Sequence, residues 1–145
     1  IIKIYIFQKN KVMSKLFKHV VKVYYEDTDV GGVVYYSNYL KFLERARTEM
    51  IHSIGLSNNK LFAEYKTLII VKSCNIDYLS PAKLEDKLQI YSSIESFNKA
   101  SFEIVQNIKK DDNLVVKAKL KLVTVNQKGK PIKIPLILEN KLAVN

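Results

Sequence analysis

Cysteine and histidine are scarce in this 145-residue chain. The one cysteine, Cys74, excludes an internal disulfide and favours a reducing, cytoplasmic location. We expect Cys74 to be a small buried residue within a strand. The two histidines, His19 and His52, are far apart and form no metal-ligand pattern with it, so no metal or redox cofactor is implied. The Gly-x-Ser-x-Gly sequence of a serine nucleophile elbow is also absent.

Arginine is almost as rare, although the chain is strongly basic. Only Arg45 and Arg47 among the 24 basic residues are arginine, and the formal net charge is +10 at pH 7. Proteins that read bases or phosphates favour arginine for its bidentate contacts, whereas the lysines here are spread along the whole chain. We therefore expect no nucleic-acid partner, and interpret the charge as an attraction for an anionic ligand such as coenzyme A.

Long hydrophobic runs are missing as well. Residues 1–7 read Ile-Ile-Lys-Ile-Tyr-Ile-Phe, a segment too short and too interrupted by lysine for a transmembrane helix. Because Met13 would be a natural start, we expect residues 1–12 to be a disordered or non-native-start extension. Residues 13–145 are long enough for one domain with its own core.

Apolar periodicity predicts an α+β protein with a strand, a long helix and then four more strands. The helix is expected over residues 37–54, because apolar residues from Tyr39 to Ile54 recur with a period of 3.6 and place His52 on the solvent side. Strands are expected over residues 19–25, 67–78, 88–97, 101–109 and 114–126, with a short helical turn over 60–65. Pro131 and Pro135 predict an edge or irregular tail.

The strand over residues 67–78 begins with the apolar run Leu-Ile-Ile-Val at 68–71. Apolar residues on both faces predict a central strand, with the helix covering one face and a second copy of the chain covering the other. We therefore expect a homodimer or a homotetramer.

Two acids and two glycines lie just before the predicted long helix. Asp27 and Asp29 end an alternating apolar run, and Gly31-Gly32 follow before the helix begins near Ser37. Aspartate and glycine are common in turns, and serine is a common helix cap, so a purely structural role is one interpretation. The other is functional, because a carboxylate beside the free N–H groups of a helix start suits thioester or ester hydrolysis.

The run from Tyr25 to Tyr39, followed by Phe-Leu-Glu-Arg-Ala-Arg-Thr-Glu-Met at 42–50, resembles the signature of the 4-hydroxybenzoyl-CoA thioesterase family. It is most similar to the branch of short acyl-CoA thioesterases associated with the Tol-Pal system. Ser-Cys-Asn at 73–75 and Ser-Pro-Ala at 80–82 continue the likeness. The resemblance implies the hotdog fold, in which a curved antiparallel sheet of about five strands wraps a long central helix.

The resemblance also implies roles for particular residues. Asp29 falls on the catalytic carboxylate, which acts as a general base or as a nucleophile; the sequence leaves both open. The residues placed against the substrate are Tyr25, Gly32, Val33, Tyr36 and Asn38. Tyr36 stands where the Tol-Pal-associated branch usually has a histidine, so an oxyanion contact is expected from its main-chain N–H instead.

The expected function is hydrolysis of acyl-CoA or aryl-CoA thioesters at sites shared between subunits, with acyl carrier protein as a further candidate partner. A non-catalytic hotdog protein that binds CoA or acyl carrier protein is the alternative. A hotdog dehydratase is disfavoured, because the motif contains no suitably placed histidine.

Overall fold

A single five-stranded antiparallel sheet forms the framework of the computed structural model, which describes residues 15–143. The strands are β1 (Phe17–Lys22), β2 (Leu68–Tyr78), β3 (Lys87–Phe97), β4 (Ser101–Lys110) and β5 (Asn113–Val125). Their order is β1-β3-β4-β5-β2, so β1 and β2 are the two edges. All five predicted strands are present, although β1 ends at Lys22 instead of residue 25, and a 3₁₀ turn follows at Tyr25–Asp27. The predicted extension over residues 1–12 lies outside the described residues.

The long helix α1 (Asn38–Ser53) packs on one face of this sheet through Phe42, Leu43, Ala46 and Met50. The strands direct every second side chain toward this helix. In β4, for example, the buried residues are Phe102, Ile104, Gln106 and Ile108. The predicted helix and the exposed position of His52 are confirmed. One long helix against a five-stranded antiparallel sheet is the predicted α+β hotdog arrangement. None of the helices in residues 15–143 has the length and apolar content of a membrane-spanning segment.

Two short helices flank this core. Helix α2 (Asn58–Tyr65) starts at Ser57, whose hydroxyl accepts a 3.0 Å hydrogen bond from the Lys60 N–H, and it buries Leu61. The predicted edge or irregular element is confirmed for residues 131–135, where Pro131 bridges Val125, but it is wrong beyond them, because helix α3 (Leu136–Leu142) buries Leu138 and Leu142. Pro135 directly precedes α3, where its missing N–H costs no helical hydrogen bond.

Strand β2 is an edge strand, so its predicted central position is wrong. It pairs with β5 on one side only. Helix α1 lies against β1 and β3, at the far side of the sheet, which leaves much of β2 uncovered. Ile70 and Val71 are 45% and 48% exposed, and Cys74 is exposed rather than buried. The apolar run therefore marks a surface of this chain, not its interior.

One polar side chain crosses the core between sheet and helix. Gln106 is fully buried, and its Nε2 donates to the Leu43 carbonyl oxygen at 3.1 Å and to Ser92 Oγ at 2.9 Å. Its Oε1 accepts from Arg47 Nη1 at 3.0 Å. Burial lowers the pKa of the Arg47 guanidinium. These contacts tie α1 to β3 and β4 and satisfy an amide that would be costly to bury alone.

Candidate active site

The loop between β1 and α1 is organised by Asp27, which is buried. Its Oδ2 accepts from the Tyr24 N–H at 2.8 Å. Its main-chain oxygen accepts from the Tyr35 N–H at 3.0 Å and from Asn38 Nδ2 at 2.9 Å. Asp27 therefore fixes both arms of the loop against the start of α1. Asn38 contributes by holding the loop, and its predicted contact with substrate stays a prediction.

The second acid, Asp29, is exposed at the tip of the same loop. Its Oδ1 accepts from the Gly31 N–H at 2.8 Å and, more weakly, from the Val33 N–H at 3.4 Å. The main chain closes a tight turn here, with the Asp29 N–H on the Val33 oxygen and the Gly32 N–H on the Asp29 oxygen. Gly32 has a φ of +77°, a conformation that favours glycine. One carboxylate oxygen is thus fixed, while Oδ2 of this exposed residue accepts no hydrogen bond from residues 15–143.

The start of α1 offers hydrogen-bond donors beside this loop. Within the described part of the chain, the main-chain N–H groups of Tyr36 and Ser37 donate to no acceptor, and the Ser37 hydroxyl caps no helical N–H. Such N–H groups carry the partial positive charge of the helix start. They are suited to hold a carbonyl oxygen that becomes negative during acyl transfer.

Tyrosine rings surround these donors. The ring centroid of Tyr36 lies 4.8 Å from that of Tyr35 and 6.2 Å from that of Tyr78, and Tyr78 lies 5.7 Å from Tyr39. Tyr36 is 59% exposed, and Tyr25, which precedes Asp27, is 83% exposed. Tyr78 is a candidate site residue that the sequence reasoning missed. The only signal was an aromatic residue at the end of a strand whose register was unknown.

A second segment, residues 80–86, is fastened to the loop. The Val34 N–H donates to the Ala82 oxygen at 2.8 Å, and Val33 forms an antiparallel bridge with Lys83. The Ala82 N–H in turn donates to the Tyr39 hydroxyl at 3.1 Å. Burial raises the pKa of Tyr39, so this hydroxyl stays neutral at physiological pH. Helix, loop and segment 80–86 therefore form one hydrogen-bonded unit.

Asp86 closes segment 80–86. Its Oδ1 forms a 2.8 Å ion pair with Lys110 Nζ, and its Oδ2 accepts from the Lys83 N–H at 2.8 Å. Burial alone would raise the pKa of Asp86, but these hydrogen bonds and the neighbouring positive charges hold it below its usual value.

The chemistry available here is that of a positioned carboxylate beside free main-chain donors. Asp29, Gly32 and Val33 lie within one turn, and Tyr36 and Asn38 follow where the chain enters α1. In a single chain Asp29, Gly32 and Tyr36 are exposed to solvent, whereas Asn38 is buried. Among residues 15–143, no group of three or more His, Cys, Asp or Glu side chains is placed to hold a metal ion.

Comparison with known proteins gives consistent matches. Residues 23–142 match the model of the thioesterase-like superfamily. An acyl-CoA thioester hydrolase, YbgC, from Escherichia coli is 41% identical over 84% of this chain and 92% of its own length. The acyl-CoA thioesterase YbgC of Haemophilus influenzae is 38% identical over 82% and 88%. A probable thioesterase from Bartonella henselae superposes with a TM-score of 0.80 at 31% identity, covering 83% of this chain and 99% of its own.

Proposed function

Because the chain belongs to the thioesterase-like superfamily, we propose that it hydrolyses acyl-CoA or aryl-CoA thioesters to a free acid and CoA. The observation that carries the proposal is the loop geometry. Main-chain N–H groups hold one oxygen of Asp29, while the unbonded N–H groups of Tyr36 and Ser37 directly precede α1 on the same loop. The names of the relatives from Escherichia coli and Haemophilus influenzae support the CoA thioester as substrate.

In the proposed mechanism, the reacting atom of Asp29 is its free carboxylate oxygen, Oδ2. As a general base, it takes a proton from water while the water oxygen bonds to the carbonyl carbon. As a nucleophile, it bonds to that carbon itself, and water then cleaves the anhydride. In both routes the carbon–sulfur bond breaks and the CoA sulfur leaves as a thiolate that takes up a proton.

The oxyanion contact is assigned to the main-chain N–H groups of Tyr36 and Ser37. These donors need no histidine side chain, so a tyrosine at position 36 is compatible with the mechanism. Tyr25 and Tyr78, which are 83% and 44% exposed, are proposed to line the acyl side of the site.

We propose that the working unit is a homodimer or homotetramer with sites between subunits. The support is the uncovered edge of β2, which combines unpaired main-chain groups with the exposed side chains of Ile70 and Val71. Light scattering should report a dimer or larger at micromolar concentration, and a stable monomer would contradict this proposal. A CoA substrate and a lone cysteine favour a cytoplasmic location.

The competing proposal is a non-catalytic protein that binds CoA or acyl carrier protein. It is favoured by one observation: Asp29 Oδ1 already caps its own turn through the Gly31 N–H. The two proposals differ in turnover. Purified protein should release free thiol from members of a panel of CoA esters that spans short aliphatic, long aliphatic and aromatic acyl groups, ranked by kcat/KM. Binding of CoA without thiol release from any ester would favour the competing proposal.

A further inference from the structure

Lys83 is the cation that the fold brings beside the Asp29 loop from a distant part of the sequence. Val33 pairs with Lys83 in an antiparallel bridge, and the Asp29 N–H donates to the Val33 oxygen at 2.9 Å. Asp29, Val33 and Lys83 therefore lie in one row across three adjacent chain segments. Side chains directly opposite each other in an antiparallel pair extend from the same face. The Lys83 side chain thus shares a face with Val33.

The base of this lysine is held firmly. Its N–H donates to Asp86 Oδ2 at 2.8 Å, and its carbonyl oxygen accepts from the Asp86 N–H at 3.1 Å. The neighbouring Ala82 is bonded to both Val34 and Tyr39. A lysine on such a support loses less main-chain freedom when it binds a ligand than one on a loose loop.

The charge of Lys83 is also available. Its side chain is exposed, and its ammonium forms no ion pair within the described residues. Lys110, in contrast, is paired with Asp86, and Lys119 is paired with Glu95 and Glu103. The nearby carboxylate of Asp86 is already bonded to Lys110 and to the main chain.

The distance from Asp29 selects the part of the substrate that Lys83 can reach. Two strand spacings separate the main chains of Asp29 and Lys83 by roughly 10 Å. Because the lysine extends roughly 6 Å from the face that it shares with Val33, its ammonium lies roughly 12 Å from the Asp29 main chain, beside which the thioester would react. The pantetheine arm between the sulfur and the first phosphorus of CoA spans about 16 Å when extended and less when bent.

We propose that Lys83 binds the pyrophosphate of the CoA moiety and so positions the thioester at Asp29. The proposal rests on the proposed function for the identity of the ligand. Lys83 is a binding residue and takes no part in the chemical step, so it contributes equally to the ground state and the transition state.

The test compares Lys83→Ala with wild type on three thioesters of the same acyl group: those of CoA, dephospho-CoA and pantetheine. Loss of one ammonium from a partly exposed phosphate site should raise KM by roughly three- to tenfold for both CoA forms, with kcat unchanged. The pantetheine thioester, which lacks the pyrophosphate, should show no change. Lys83→Arg keeps the charge and should retain most of the wild-type KM.

Lys99→Ala is the matched control. Lys99 is exposed in the turn between β3 and β4, and β3 runs away from segment 80–86 for its whole length. This variant should leave all three KM values unchanged. An equal rise in KM for the pantetheine thioester on Lys83→Ala would overturn the proposal. A rise with CoA but none with dephospho-CoA would place the contact on the 3′-phosphate instead, and would also overturn it.

Calorimetric binding of free CoA separates this inference from the proposed function. If wild type binds CoA several-fold more tightly than Lys83→Ala but releases no thiol, the Lys83 inference stands and the hydrolase proposal fails. If wild type hydrolyses the ester, and wild type and Lys83→Ala bind CoA equally tightly, the Lys83 inference fails and the hydrolase proposal stands.

Discussion

Gly31 provides a direct test of whether the position of the Asp29 carboxylate matters for activity. A Cβ at residue 31 would lie 3.1 Å from Asp29 Oδ1, closer than ordinary van der Waals contact. Gly31 does not require a positive φ, so Gly31→Ala should leave the main chain relaxed and displace the carboxylate by a few tenths of an ångström. A misplacement of about 1 Å can cost 10²-fold in rate, so this smaller shift should lower kcat by about tenfold.

Gly129→Ala is the control for the general effect of replacing a glycine by alanine in a turn, because it strains the main chain without crowding a carboxylate. Gly129 has a φ of +78° in the turn after β5, and an added Cβ there meets no atom within 4 Å. This variant should lose about 1 kcal/mol of stability and keep the wild-type kcat. Steady-state kinetics and urea denaturation of both variants give the comparison. Full activity in a folded Gly31→Ala protein would refute the claim that this carboxylate must be fixed in place.

Three further substitutions test the framework. Gln106→Met keeps the volume but removes hydrogen bonds to buried groups, and should cost about 2–4 kcal/mol in urea denaturation; a loss below about 0.5 kcal/mol would contradict the role of this amide. The depressed pKa of Asp86 should stabilise the protein above its unfolded pKa of about 4 and lose that contribution as the pH falls further, whereas Asp86→Asn should remove this dependence. Tyr36→Phe should change kcat little in steady-state kinetics, because the proposed donor is the main-chain N–H. A loss in kcat as large as that of Asp29→Asn would show that the phenol hydroxyl itself acts as an acid or hydrogen-bond donor in the reaction.

The helix and the strands could be predicted because their burial patterns are local. Phe42, Leu43, Ala46 and Met50 recur on one stripe, and β4 and the middle of β5 alternate between buried and outward residues. The tail shows the limit of this reasoning. Pro131 and Pro135 suggested a broken segment, yet a proline immediately before a helix is compatible with one.

Errors arose where the outcome depended on neighbours distant in the sequence. The apolar run at 68–71 was expected to be buried on both faces, but it is partly exposed, because periodicity cannot show which elements of the folded chain lie against a strand. Cys74 was misplaced for the same reason, since it belongs to the same edge strand. Tyr78 and Lys83 escaped notice because only the folded chain brings them to Tyr36 and Val33. The Asp29 loop was visible because its parts are consecutive.

The most direct test of the central claim is the rate of thiol release by Asp29→Asn from a CoA ester that wild type hydrolyses. The amide nearly preserves the shape of the side chain and can still accept from the Gly31 N–H, so circular dichroism should show an unchanged fold. If Asp29 is the general base or nucleophile, kcat should fall by a factor on the order of 10²–10⁴. Asp27→Asn, at the buried structural acid, should cost far less. Near-wild-type turnover by Asp29→Asn would exclude Asp29 as the general base or nucleophile, and absence of turnover in wild type as well would favour a protein that binds CoA without catalysis.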